Sequence, residues 1–204
     1  MLRENREYHN FTIELEKREE GKEPSYIVEG YATTFEPYVL WEEDGIEYKE
    51  QILPEAFDKA TDISDVIFVK DHAGTVFART KNNLLELSVD KKGLKVRADL
   101  SKTAAAREMY EEILVGNYSQ MSFAFIVDDD EYDSRSHTRI IRHLKKLFDV
   151  SAVSFPANPG TDISPATRSR FDGFIEADKA ERLERAKQLE LEKAKYEYFR
   201  RIQK

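Results

Sequence analysis

The sequence predicts an α+β domain built on a mostly antiparallel barrel or strongly bent sheet, with a long helix at the C-terminal end. Three observations carry this. About six to eight short segments show the apolar–polar alternation of half-buried strands. Two of them, over residues 84–100, read as a hairpin. Two helical stretches, near residues 51–60 and 103–115, fall between strands, an order that suits a sheet with inserted helices.

The elements follow in order. FTIELE (11–16) alternates and reads as a strand, and residues 17–24 are a charged connector. YIVEGYAT (26–33) is a second strand, in which Gly30 marks a bulge or a close backbone approach. Residues 35–48 show no clear period and read as a loop, with a short strand near Ile46. QILPEAFDKA (51–60) reads as a short helix, because Pro54 suits a first turn where its missing N–H is no loss. VIFVKDH (66–72) is a strand that turns polar, so His72 falls at its end, beside a turn at Ala73–Gly74–Thr75. In the hairpin, Leu85, Leu87 and Val89 alternate, DKKG (90–93) turns the chain, and Leu94, Val96, Ala98 and Leu100 alternate on the return. Ser101 or Thr103 can cap the next helix, which runs to about Val115 and ends at Gly116. QMSFAFIV (120–127) is a strand, Asp128–Ser136 an acidic loop, and 140–147 and 148–155 two more strands, ended by PANPG (156–160). From about Phe171 the chain becomes highly charged, and Ala180, Leu183, Leu191, Ala194, Tyr198 and Ile202 fall on one helical stripe, broken by Lys187. That stripe fits either a solvated helix or a helix that docks or self-associates.

Composition excludes several classes. With 204 residues the chain can hold one ordinary domain and an appendage. It has no cysteine, which removes disulfides, thiolate metal sites and a cysteine nucleophile. The net charge of −8 argues against a chain that binds polyanions. MLRENREYHNF lacks the apolar centre of a secretory signal, and no apolar run approaches a membrane span, so a soluble intracellular protein is expected.

Three residues stand out chemically. Ser122 lies in an apolar strand with Ala124 as its same-face neighbour, which suits either a satisfied core serine or a nucleophile with open space before it. A serine nucleophile needs a base, and the base needs a group to hold it. Of His9, His72, His137 and His143, only His72 ends an apolar strand beside a turn, where rigid elements hand over to loops. Asp149 lies between Phe148 and Val150; it either faces solvent or is a paired acid behind a histidine. The run Asp128–Asp133 lacks the glycine and distal glutamate of a calcium loop. RIIRHLKK (139–146) could meet phosphate or an acidic partner, but lacks the stacking aromatics of a nucleic-acid site. No cofactor and no metal are expected.

Taken together, EGYATTF (29–35), ILPEAF (52–57), VKDHAGTVFART (69–80), GLKVRADL (93–100), MSFAF (121–125) and LFDVSAVSFPANP (147–159) resemble the tailed-phage prohead proteases, the capsid maturation serine proteases, which are distantly similar to the herpesvirus assemblins. The resemblance covers roughly residues 11–165. It implies a herpesvirus-protease-like barrel with inserted helices over residues 1–170, and leaves residues 171–204 as a charged helix for docking, scaffolding or self-association. By position it implies a catalytic serine at Ser122, its histidine at His72 and a third member at Asp149. Ala78, Glu55 and Asp149 depart from the common glycine, glycine and glutamate, and His143 is the alternative third member. The implied activity is a serine endopeptidase that cleaves the scaffolding segment of the major capsid protein and itself, inside the assembling prohead in the host cytoplasm. The alternative is a non-enzymatic capsid assembly scaffold that keeps the fold. Neither nucleic acid nor membrane is an expected partner.

Overall fold

The computed structural model describes residues 4–7, 14–15, 25–58, 60–154 and 165–202. In chain order the strands are β1 (Glu4–Glu7), β2 (Glu14–Leu15), β3 (Ile27–Thr34), β4 (Tyr38–Glu43), β5 (Ile46–Ile52), β6 (Ile67–Lys70), β7 (Ala73–Arg79), β8 (Leu85–Val89), β9 (Gly93–Asp99), β10 (Gln120–Asp133) and β11 (Thr138–Val153). The helices are α1 (Ala104–Leu114) and α2 (Pro165–Ile202). The chain divides into two units, residues 1–164 and 165–204.

The long hairpin of β10 and β11 is the spine of the first unit. One edge of β10 takes β1, and the other pairs antiparallel with β11. The far edge of β11 carries two parallel partners: β5 along Thr138–Ile141 and β6 along Asp149–Ala152. β4 and β7 extend the sheet beyond them to seven strands. A second sheet has the order β2-β3-β9-β8. Among the described residues these ladders form two sheets rather than one closed barrel: β3 packs beside β10 without sharing a ladder with it. The core between the elements is built from Ile52, Phe68, Val96, Leu100, Phe123, Phe125, Leu144 and Val150, and is closed by Met109 and Tyr110 of α1.

Several expectations are met and others corrected. The 84–100 hairpin forms as β8 and β9. Thr103 caps α1, its Oγ1 accepting from the Ala106 N–H at 3.1 Å, and Gly116 follows the helix with φ +87°. The short strand expected near Ile46 forms as the start of β5, but the loop expected around it at 35–48 is a hairpin, β4–β5. Its two-residue turn is Asp44–Gly45, both with positive φ, the backbone of a type I′ turn. The expected 51–60 helix is only a single 3-10 turn, Pro54–Phe57, because β5 continues to Ile52 and Asp58 is already extended.

The acidic loop is also strand. Asp129 and Glu131 face Arg142 across the ladder, at 2.8 and 2.7 Å, so what looks in sequence like an acid-rich loop and a muddled basic strand is one charge-matched pairing. The two strands expected at 140–147 and 148–155 merge into β11. His9, the connector at 17–24 and PANPG lie outside the described residues.

The second unit is α2, which begins at Pro165 rather than near Phe171. Pairs such as Asp178–Arg182 and Glu181–Arg185, spaced i,i+4, support it. The apolar stripe residues Leu183, Leu191 and Tyr198 are all exposed. No helix among the described residues is long and apolar enough to cross a membrane.

Candidate active site

The start of the β10–β11 hairpin sets four side chains in a square. In the regular ladder Ser122 pairs with Ser151 and Ala124 with Asp149. Paired residues project to the same side of a sheet, and so do residues two apart on a strand. Ser122, Ala124, Asp149 and Ser151 therefore share one face, with Ala124 as the small corner.

His72 reaches this face from the neighbouring hairpin. The turn lies at Asp71–His72, with φ of +46° and +56°, and not at Ala73–Gly74–Thr75 as expected; residues 73–79 are strand β7. Aspartate and histidine are among the side chains best tolerated in this left-handed region. The turn is fastened to β11, the Asp71 N–H donating to the Ala152 carbonyl at 3.1 Å. The base of the hairpin is held by the Ala78–Arg79–Thr80 triplet. Arg79 grips Asp65 with two nitrogens, at 2.5 and 2.6 Å, and Thr80 Oγ1 accepts from the Val66 N–H at 2.9 Å. The Arg79 guanidinium and the Lys81 ammonium hold the Asp65 carboxyl far below its ordinary range.

The imidazole lies between serine and acid. His72 Nε2 is 2.6 Å from Ser122 Oγ, and His72 Nδ1 is 2.7 Å from Asp149 Oδ1. Ser151, which the sequence reading did not single out, joins them. Its hydroxyl donates to Asp149 Oδ1 at 3.0 Å and accepts the His72 backbone N–H at 3.1 Å. Ser151 thus holds both the acid and the chain that carries the imidazole. The one signal for it in the sequence is its place two residues after Asp149 on the same strand face.

Asp149 and Ser122 are buried, while the His72 side chain is 11% exposed. Ser122 is fully buried, so the open space expected before it is not seen. A carboxylate in such a place is tolerable because it accepts hydrogen bonds from two sides.

The other two described histidines, His143 and His137, lie elsewhere. His143 meets Asp128 at 2.5 Å through Nδ1 and Asp58 at 3.1 Å through Nε2. The hydrogen bond to Asp128 raises its pKa, against a smaller effect of burial. His137 sits in the β10–β11 turn and is half-buried, its Nδ1 3.0 Å from the Tyr132 hydroxyl.

A serine, an imidazole and a carboxylate joined in this order form the unit that activates a hydroxyl as a nucleophile. The family model of the caudovirus prohead serine protease matches residues 11–173, most of the chain. The chain belongs to this family. As a member of the prohead serine protease family it is assigned to the serine peptidases and to capsid maturation. No curated protein and no solved structure compared with this prohead protease matches it.

Proposed function

We propose that this chain is a serine endopeptidase that cleaves the scaffolding segment of the major capsid protein, and itself, inside the assembling prohead in the host cytoplasm. The observation that carries the reading is the hydrogen-bonded series Ser122–His72–Asp149 in a prohead serine protease family member. In this reading Ser122 Oγ attacks the scissile carbonyl carbon while His72 Nε2 takes its proton. The tetrahedral oxyanion collapses as the C–N bond breaks, and Nε2 returns the proton to the leaving amine. Water then attacks the acyl ester with the same base and frees Ser122. Asp149 holds Nδ1–H, fixing the tautomer and stabilising the imidazolium. Ser151 positions both partners. Backbone N–H groups serve the oxyanion.

The division at residues 170 and 171 belongs to this proposal, with residues 171–204 as a helix that docks on capsid protein or on a second copy. The exposed Leu183, Leu191 and Tyr198 support that role for the helix, and they also favour the second reading, a scaffold without catalysis. Co-expression of the capsid protein with wild type and with Ser122→Ala separates the two. Intact-mass spectrometry should show a defined N-terminal fragment lost only with wild type, since losing a serine nucleophile costs about 10⁶ in rate. Full-length capsid protein in both samples, with no fluorophosphonate labelling of Ser122, would leave the scaffold.

A further inference from the structure

A cavity of about 440 Å³ opens beside the candidate triad, between the first half of β7 and α1. Its volume falls in the range of about 300–1,000 Å³ that holds small ligands. One wall is Ala73, Gly74 and Thr75, the residues that follow His72 directly. Lys70, the last residue of β6, and Tyr118 also line it. β7 pairs only with β6 among the described residues, and Ala73–Val76 is exposed. An extended peptide with its scissile bond at the triad therefore has this wall within its reach.

The lining says which side chain belongs there. Phe77 and Met109 are apolar and buried. Glu108 and Glu112 project from consecutive turns of α1, so two carboxylates stand against the one ammonium of Lys70. The three are not equivalent. Lys70 Nζ lies over the Tyr118 ring, 5.5 Å from its centroid. Glu112 accepts from the Asn117 side-chain amide. The Glu108 side chain has no hydrogen bond or ion pair among the described residues. An apolar floor with an uncommitted carboxylate fits a long side chain that has an aliphatic stem and a cationic head.

We propose that this cavity is the specificity subsite, taking a lysine or arginine side chain of the substrate peptide at a fixed distance from the scissile bond. Glu108 receives the charged head, and Phe77 and Met109 contact the stem. The proposal rests on the serine endopeptidase reading above.

The test uses the full chain and a peptide mixture prepared by chymotryptic digestion, which leaves lysine and arginine internal. Cleavage sites are read by mass spectrometry. Basic residues should be enriched at one position relative to the cut. For a matched pair of synthetic peptides carrying lysine or glutamate at that position, Glu108→Lys should lower the Lys/Glu ratio of kcat/KM at least about tenfold. Glu111→Lys, an exposed change of equal charge on the same helix but outside the cavity, should leave the ratio alone. Cleavage without a basic preference, or an equal shift in both variants, overturns the subsite and spares the protease. No cleavage by wild type, with Ser122 unreactive to fluorophosphonate, overturns the protease reading and the subsite with it.

Discussion

The β10–β11 hairpin buries two polar clusters, and they are built on opposite principles. Near the turn, Arg139 is enclosed by Glu50 at 3.1 Å and Asp130 at 2.7 Å, with side-chain exposures of 1%, 0% and 0%, and the Tyr38 hydroxyl donates to Glu50. At the other end lie Ser122, His72, Asp149 and Ser151. The first cluster sets one guanidinium between two carboxyl groups, a fixed pairing that cannot move without loss. The second has one acid, two hydroxyls and an imidazole, a group able to gain and lose a proton near neutrality, and that imidazole is the member left partly exposed. Burial of polar groups is therefore no sign of function in itself. What distinguishes the candidate site is an imidazole joined to a hydroxyl through one nitrogen and to a carboxyl through the other.

The contrast can be broken by mutation. Short of losing the nucleophile itself, the largest expected effect is that of Asp149→Asn. It should cut turnover by about 10⁴, as loss of the orienting acid does in other serine proteases, with little change in unfolding midpoint. Full activity in this variant together with inactivity of His143→Ala would reassign the third member. Arg139→Met should do the reverse. It strands two buried carboxylates and should cost about 3–5 kcal/mol of stability, read by urea unfolding, while activity per folded molecule persists. A dead but fully stable Arg139→Met would erase the distinction between the clusters.

Ser151→Ala sharpens the comparison. Losing one hydrogen bond to a charged group is worth about 1.5–3 kcal/mol, so kcat should fall roughly tenfold to a hundredfold with KM unchanged, a positioning defect rather than a binding one. The smallest effect belongs to His143. Its folded pKa is raised above 6.5 by the Asp128 carboxylate, so its contribution to stability is complete below pH 6.5 and lost as pH rises through the folded value. His143→Gln should flatten that decline in unfolding curves taken between pH 6 and pH 8, and should leave kcat alone.

Much of this was legible in the sequence, for identifiable reasons. The β8–β9 hairpin and α1 announce themselves through local signals: alternation on both strands, a capping threonine, a terminal glycine. Ser122 and Asp149 were legible as polar residues in apolar strands, and His72 as the histidine at the end of one. The turn that carries His72 was not placed correctly, because Asp71–His72 is an uncommon pair for a type I′ turn and Gly74, two residues on, suggested another. Of β4–β5 only a short strand near Ile46 was read, because the buried Glu50 breaks the apolar pattern while its compensating partner, Arg139, stands far along the chain. The same holds for β10 and β11, whose charged residues make sense only across the ladder. Parallel pairing of β5 and β6 with β11 leaves no local trace at all.

That parallel pairing sets the moment at which the site can exist during synthesis. The hairpin carrying His72 leaves the ribosome early, but both His72 and Ser122 close upon β11. Ser151 follows His72 by 151−72=79 residues, roughly 4–16 s at about 5–20 residues per second. In the proposed roles, the nascent chain throughout that interval holds a base with no acid, and then a nucleophile whose strand lacks its β11 partner. A chain ended at Asp133 contains both Ser122 and His72 and should nonetheless leave a fluorophosphonate probe unreacted. Strand order alone thus keeps the nascent chain inert until nearly all of its sheet has been made.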